Sequence, residues 1–448
     1  MRDQRSSPPR SRIALILIAI FLGLACFYGA TFNFRGVTDT HANSLQTRAL
    51  VRHGDIDLAR YPNVGRAFVV RRGHHVFSVY GAGISLVAAP IYVIASRSHL
   101  SDRASQGIVS LLIVAAAVVT LLYLLLRLVR PTIAAFAAVV FGLGTTMWPV
   151  AAMALYQHGS VALFQSIAMT GLFSRRRRAP LLAGFSFAMA AFIRPQAALP
   201  LITCGVVYLT EGWRRATYFI AGAIAPLLGI AIQNRWVWGS WFTSGYAQIH
   251  FRFNGSVARA TFQLLLGWWR GLFVYSPFLI LALPALAIAL PRARGFTERR
   301  MIALAGASLG TVFLYARASD WTGGLNQFGY RYLLDVTPML VVLSAWAWSR
   351  LDWLRVIAIP AGALSIMTMT FGMAPNRFAW DFIMFPRSFA EAPIGQAWIV
   401  FVHHPGQDIR RLLGVAAVAT LIFLAGRKVS RLNEDKAGSR TLAMSPGS

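Results

Sequence analysis

Cysteine is nearly absent from this chain. Its two copies, Cys26 and Cys204, both sit inside apolar runs, which excludes a disulfide framework and a thiolate metal centre. Charge is scarce as well: 13% of the 448 residues are charged, while 56% are hydrophobic. The chain holds no G-x-x-x-x-G-K-[ST], H-E-x-x-H or paired-cysteine motif, so a cytosolic nucleotide or zinc engine is not indicated. It also shows no solenoid-type repeat and no soluble domain of useful length. The formal charge of +28 could suggest nucleic acid, but the basic residues lie between apolar runs and not in one soluble domain. Nucleic acid is therefore set aside, and anionic membrane lipid is the simpler partner.

What the chain has instead is apolar length. Its runs repeatedly approach the ~20 residues that cross hydrocarbon, which predicts an all-α polytopic membrane protein. We expect about twelve transmembrane helices, the first at residues 11–32 and the last at 412–425, with both termini cytoplasmic. The first run follows MRDQRSSPPRSR and has no small-residue cleavage site after it, so it reads as a retained signal anchor. One integral domain, residues 1–426, accounts for nearly everything. Residues 427–448 are polar, with Gly, Ser and Pro, and read as a disordered cytoplasmic tail.

Residues 81–96 decide the topology. Counted as a span, they place the run from Arg175 to Arg178 outside, against the cytoplasmic bias of basic residues. Laid on the outer surface as an interfacial helix, they turn that run to the cytoplasm, together with Arg215, Arg299 and Arg300. The outer face stays net basic even so.

The longest polar stretch follows the first span. Residues 31–103 form an outer loop too long for a simple hairpin connection. It carries Asp39 just past the helix end, a short amphipathic segment over 40–53, and then Asp55 and Asp57. A carboxylate at the membrane surface can take a proton from an acceptor hydroxyl, which makes Asp39 the candidate catalytic residue. Its alternative is a plain N-cap for the segment that follows. Asp55 and Asp57 read as acids of a solvated loop.

Four further outer stretches carry polar groups of the right kind. In Tyr156-Gln157-His158, the imidazole of His158 can donate to a phosphate or sugar oxygen. In Phe192-Ile193-Arg194-Pro195-Gln196, the proline break fixes Arg194, whose planar fork suits phosphate. Trp268 and Trp269 fit an interfacial aromatic belt, and Arg270 beside them is a candidate for a ligand. The Gly-rich stretch 319–332 lets backbone approach a ligand closely. There Asp320, Tyr330 and Arg331 complete the candidate donor-binding set. Each arginine has snorkelling to lipid headgroups as its alternative. Asn254-Gly255-Ser256 matches a glycosylation acceptor, a pattern short enough to arise by chance.

Taken together, HGDIDLARY, VYGAGISLVAAPIY, YQHGS, FIRPQ, RGLFVYSPF and GGLNQFGYRYLLDVTP resemble stretches of the GT-C glycosyltransferases, nearest to the protein mannosyltransferase and aminoarabinose transferase branch. The resemblance implies a GT-C-type helical bundle in a bacterial-type inner membrane, with an extracytoplasmic active site. It also implies a polyprenyl-phosphate sugar donor and an acceptor hydroxyl on a glycan, lipid or protein. In that family the acid after the first span is the general base or acceptor-orienting carboxylate, which maps onto Asp39, and outer arginines hold the lipid phosphate. One departure matters. Many relatives carry a second acid between the third and fourth spans, whereas residues 145–159 contain none. That weakens any divalent-cation requirement and leaves Asp320 as a possible substitute, so no metal or other cofactor is expected. The competing class is a secondary transporter or lipid flippase of about twelve spans, whose mark would be paired halves with broken helices at the midplane.

Overall fold

The structure, a computed structural model, describes residues 10–61, 64, 68–98, 100–246, 256–318, 320–323, 327–373, 386, 388–403 and 405–442. Asn254 and residues 319 and 324–326 of the Gly-rich stretch lie outside the described residues.

The chain folds as helices. Helix α1 (Arg10–Ala30) is followed by α2 (Thr38–His53), a two-stranded hairpin of β1 (Val69–Arg72) and β2 (His75–Ser78), and α3 (Gly83–Arg97). Then come α4 (Asp102–Leu128), α5 (Pro131–Leu143), α6 (Gln157–Leu172), α7 (Ala179–Ile193), α8 (Ala198–Glu211) and α9 (Trp213–Gln233). The second half holds α10 (Val257–Leu266), α11 (Leu272–Tyr275), α12 (Leu283–Ala289), α13 (Phe296–Arg317), α14 (Thr337–Arg350), α15 (Arg355–Gly372), α16 (Pro393–His403) and α17 (Pro405–Leu442). Among the described residues, six helices are long and apolar enough to cross a membrane and five more are apolar but shorter. The protein is thus an integral membrane protein, and the described residues fall short of a dozen full-length crossings.

Local chemistry explains the boundaries. Ser101 caps α4 by accepting from the Ala104 amide, with Asp102 in the first turn and Arg127 in the last, each matched to the helix dipole. The apolar run over residues 272–290 is broken: after α11 the chain tightens into a 3₁₀ turn over Pro277–Ala282 before α12. Proline there withholds the amide that a continuous helix needs. The tail departs from expectation in the other direction, since α17 continues as helix to Leu442.

The outer loop is also more ordered than a plain connection. In the hairpin, Arg72 pairs with His75 across a two-residue turn in which Gly73 takes φ 59°, the left-handed conformation such tight turns require. Helix α3, 15 residues long, covers residues 83–97 of the stretch expected to lie on the outer surface. It buries Ile84, Ala88 and Tyr92 and leaves Leu86, Val93 and Ile94 exposed. It docks on α2 through Ser85 Oγ donating to Gln46 Oε1 at 3.1 Å and a 2.8 Å bond between Ser44 Oγ and the Tyr92 hydroxyl.

Two close backbone approaches set the frame for the site. A Cβ on Gly184 of α7 would strike the Phe219 carbonyl of α9, and one on Gly222 of α9 would strike the Leu181 carbonyl of α7. Small residues on both helices therefore let the two backbones touch. At the end of α7, a Cβ on Gly81 would meet the Phe192 carbonyl and one on Gly83 the Ile193 amide at 2.8 Å. The start of α3 thus rests directly on the backbone that presents Arg194.

Candidate active site

Two of the residues singled out from sequence meet. Asp39 lies in the first turn of α2, where the helix dipole favours its charge. Val37, not Asp39, is the N-cap, so the plain capping alternative does not describe this acid. The carboxylate Oδ2 pairs with Arg331 Nη2, and the two side chains expose only 5% and 10% of their area. Arg331 also donates to the Gly323 carbonyl at 3.2 Å and lies 4.7 Å over the Tyr156 ring. Gly323 takes φ 80°, which only glycine adopts freely. Burial pushes the Arg331 guanidinium down to about 10, which leaves it charged at neutral pH. Asp39 Oδ1 and Arg331 Nε remain buried without a hydrogen-bond partner. One unspent acceptor and one unspent donor therefore belong to the same pair.

Beside this pair, α6, the end of α7, α13 and the 3₁₀ turn Tyr332–Val336 ahead of α14 converge in a second buried cluster. His158, wholly buried at the start of α6, bonds through Nδ1 to Asp335 Oδ1 at 2.7 Å. Asp335 Oδ2 is 2.8 Å from Arg194 Nε and accepts from the Tyr315 hydroxyl at 2.8 Å. The Arg194 guanidinium lies 5.3 Å over the Tyr332 ring, which stacks on Tyr315 at 4.7 Å. Its Nη1 donates to Gln157 Oε1 at 3.4 Å, the oxygen that also accepts from the Tyr246 hydroxyl at 3.0 Å. His158 Nε2 has no partner. Tyr156 and Gln157, adjacent in sequence, tie the two clusters into one polar centre.

Tyr246 also lines a cavity of about 360 Å³ between α7, α8 and α9. Its walls include Phe192, Pro195, Leu201, Leu227 and Trp241. A mainly apolar trough thus runs up to Tyr246, whose hydroxyl bonds Gln157.

The other sequence candidates lie elsewhere. Arg270 is 1% exposed and spends its donors on carbonyls, at 3.1 Å to Thr322, 2.6 Å to Gln327 and 3.2 Å to Gly329. It fastens the Gly-rich loop. Tyr330 is turned into the core, where its hydroxyl bonds Ser276 Oγ at 2.7 Å, and its neighbour Tyr332 is the ring at the site. Asp320 is exposed and accepts from Thr322 Oγ1 at 2.7 Å, a local turn contact. Asp55 pairs with Arg60 at 2.8 Å. Asp57 accepts from the Val76 and Ala59 amides at 2.9 Å each and bonds His75 at 2.6 Å, beside the hairpin's turn. Asp335, Tyr315 and Tyr246 were not foreseen. The signal for Asp335 was an acid at the mouth of an apolar run, which is costly in a membrane without a partner. Among the described residues, no three His, Cys, Asp or Glu side chains gather as a metal cluster.

With this geometry in hand, comparison with solved structures is informative. The crystal structure of ArnT from Cupriavidus metallidurans bound to undecaprenyl phosphate aligns at TM-score 0.51 and 16% identity, covering 92% of this chain and 75% of that one. The chain has the GT-C fold. ArnT from the same organism in the apo state aligns at TM-score 0.49 and 17% identity, over 92% and 74% of the two chains. Archaeal oligosaccharyltransferase AglB from Archaeoglobus fulgidus, in complex with an inhibitory peptide and a dolichol-phosphate, aligns at TM-score 0.44 and 10% identity, over 90% and 56%. No family model and no curated protein sequence matches the chain.

Proposed function

We propose that the protein is a membrane glycosyltransferase that moves a sugar from a polyprenyl-phosphate donor to an acceptor hydroxyl at the extracytoplasmic face. The observation that carries this reading is the buried Asp39–Arg331 pair, with Oδ1 and Nε both unspent. A hydroxyl that donates to Oδ1 gains nucleophilicity, because the carboxylate takes its proton as the oxygen attacks the anomeric carbon. The bond from that carbon to the phosphate oxygen breaks in the same inverting step, and negative charge grows on the lipid phosphate. Arg331, through its free Nε, meets that charge in a water-poor setting where such contacts are strongest.

Arg194 has a different task. Held by Asp335, Tyr315 and Gln157, it is a fixed positive centre beside the site, oriented by its partners. The apolar trough that ends at Tyr246 is suited to a prenyl chain. ArnT, whose fold this chain shares, was crystallised with undecaprenyl phosphate, a lipid phosphate of the same chemical class.

The decisive assay supplies purified protein with a labelled polyprenyl-phosphate sugar and candidate acceptors. Transfer of label that depends on Asp39 supports the reading. Movement of the intact donor across vesicles without cleavage of its sugar–phosphate bond would make the protein a flippase instead.

A further inference from the structure

A second polar centre stands at the other end of the bundle. Helix α8 ends at Glu211, and Gly212, at φ 118°, turns the chain directly into α9. Helix α13 begins nearby at Phe296, and α6 ends nearby at Leu172. Arg300 and Tyr315 both lie on α13, and their fifteen-residue separation places this centre ~22 Å from the Arg194 cluster.

The centre holds too many cations for its acid. Arg300 is wholly buried, with Nη1 2.6 Å from Glu211 Oε1 and Nε donating to the Leu172 carbonyl at 2.6 Å. Arg215 Nε stands 3.3 Å from Glu211 Oε2, and Arg299 Nη2 stands 3.7 Å from Oε1. Arg175 lies 4.5 Å over the Phe296 ring, which Arg300 also covers at 3.5 Å. Three guanidiniums thus share one carboxylate, and the fourth, Arg175, joins them across the Phe296 ring. The other acid of this region, Glu298, is engaged 3.8 Å from Arg350. Arg300 Nη2 is buried without a partner, and Arg215 and Arg299 keep 25% and 32% of their side chains exposed.

Like charges this close repel one another, and a buried guanidinium N–H without an acceptor carries an unrepaid desolvation cost. An anion with several acceptor oxygens resolves both at once, and planar arginine forks match phosphate oxygens in particular. We propose that Arg175, Arg215, Arg299 and Arg300 form a phosphate-binding site around Glu211, separate from the centre at Asp39. The phosphate belongs either to the headgroup of an anionic phospholipid in the adjoining leaflet or to a free phosphate ion.

The test uses the full-length protein, stripped of lipid in detergent, and follows its thermal unfolding and its bound mass by native mass spectrometry. Three probes are titrated: phosphatidylglycerol, phosphatidylcholine and inorganic phosphate. Two double variants are compared with the parent, Arg215→Gln with Arg299→Gln and, as a control for general basic attraction, Arg292→Gln with Arg294→Gln. Arg300 is left intact so that the buried floor stays in place. Saturable binding of phosphatidylglycerol in preference to phosphatidylcholine, about tenfold weaker in the first variant and unchanged in the control, supports the lipid source. The same pattern with inorganic phosphate alone supports the free ion. The proposal fails if neither probe binds, or if both variants weaken binding equally. An Arg215→Lys, Arg299→Lys protein gives a second reading where the glutamine variant folds poorly: it keeps the charge but loses the forks, and parent-like affinity in it overturns the site as described.

Discussion

The Asp39–Arg331 pair makes a prediction that separates stability from turnover. Both groups are nearly shut off from solvent, so removing one partner strands the other charge. Breaking a buried pair in this way costs ~3–5 kcal/mol. Arg331→Gln should therefore lower unfolding stability by about that amount, because Asp39 loses its only cation among the described residues. Asp39→Asn should cost less, since Arg331 keeps the Gly323 carbonyl and the Tyr156 ring face. Its transfer rate should nonetheless fall ~10²–10⁴-fold, the usual worth of a general base. Combining the two substitutions removes the stranded charge, so the double variant should return to within ~1 kcal/mol of the parent and stay inactive. Denaturant titration in mixed micelles reads the stability, and labelled-sugar transfer reads the chemistry. Additive losses in the double variant would refute the pair. Parent-like turnover in Asp39→Asn, with Asp55→Asn or Asp320→Asn dead, would show that another carboxylate does the work.

Three further outcomes follow from the geometry. Burial alone would raise the Asp57 carboxyl, but the Val76 and Ala59 amides and His75 hold it below its ordinary 3.8. A depressed acid stabilises above the unfolded pKa and loses that contribution as pH falls through the folded one. Protection of the Val76 and Ala59 amides, relative to their intrinsic exchange, should therefore be lost only below about pH 4, and protection already absent at pH 6 would contradict the contact. Gly222→Leu drives a side chain into the Leu181 carbonyl and should destabilise by at least the ~1–3 kcal/mol of an overpacked core, whereas parent-like unfolding would mean that α7 and α9 stand further apart. Cysteines placed singly at Ser98 and Ser174 should react with an impermeant thiol reagent from opposite sides of the membrane, and labelling from one side would reverse the assigned faces.

How far the sequence can be read differs residue by residue. Asp39 was legible because an acid where an apolar run gives way to a polar one has few structural excuses. Arg194 was legible for a related reason, since the following proline ends a helix and leaves the guanidinium at a defined place. Tyr330 bonds Ser276 in the core while Tyr332, which opens a 3₁₀ turn, lies against Arg194, and the letters alone do not show which of the two faces the arginine. The partners of Arg270 were hidden for another reason. Its acceptors are carbonyls some fifty residues further along, and backbone oxygens leave no trace in composition. Asp335 was visible as a letter but not as a partner, because its pairing with His158 spans 177 positions.

The seam between α7 and α9 has one more consequence. Backbones that touch through Gly184 and Gly222 leave no side chains between them to reshuffle, so the two helices act as a single strut. Arg194 stands at one end of that strut and Arg215 at the other. The 15 residues of α7 measure ~22 Å, less than the ~30 Å of a typical hydrocarbon core. Helix α9, at 21 residues, supplies the missing length at ~31 Å, so a tilt imposed at the Arg215 end of the seam is carried to the Arg194 end.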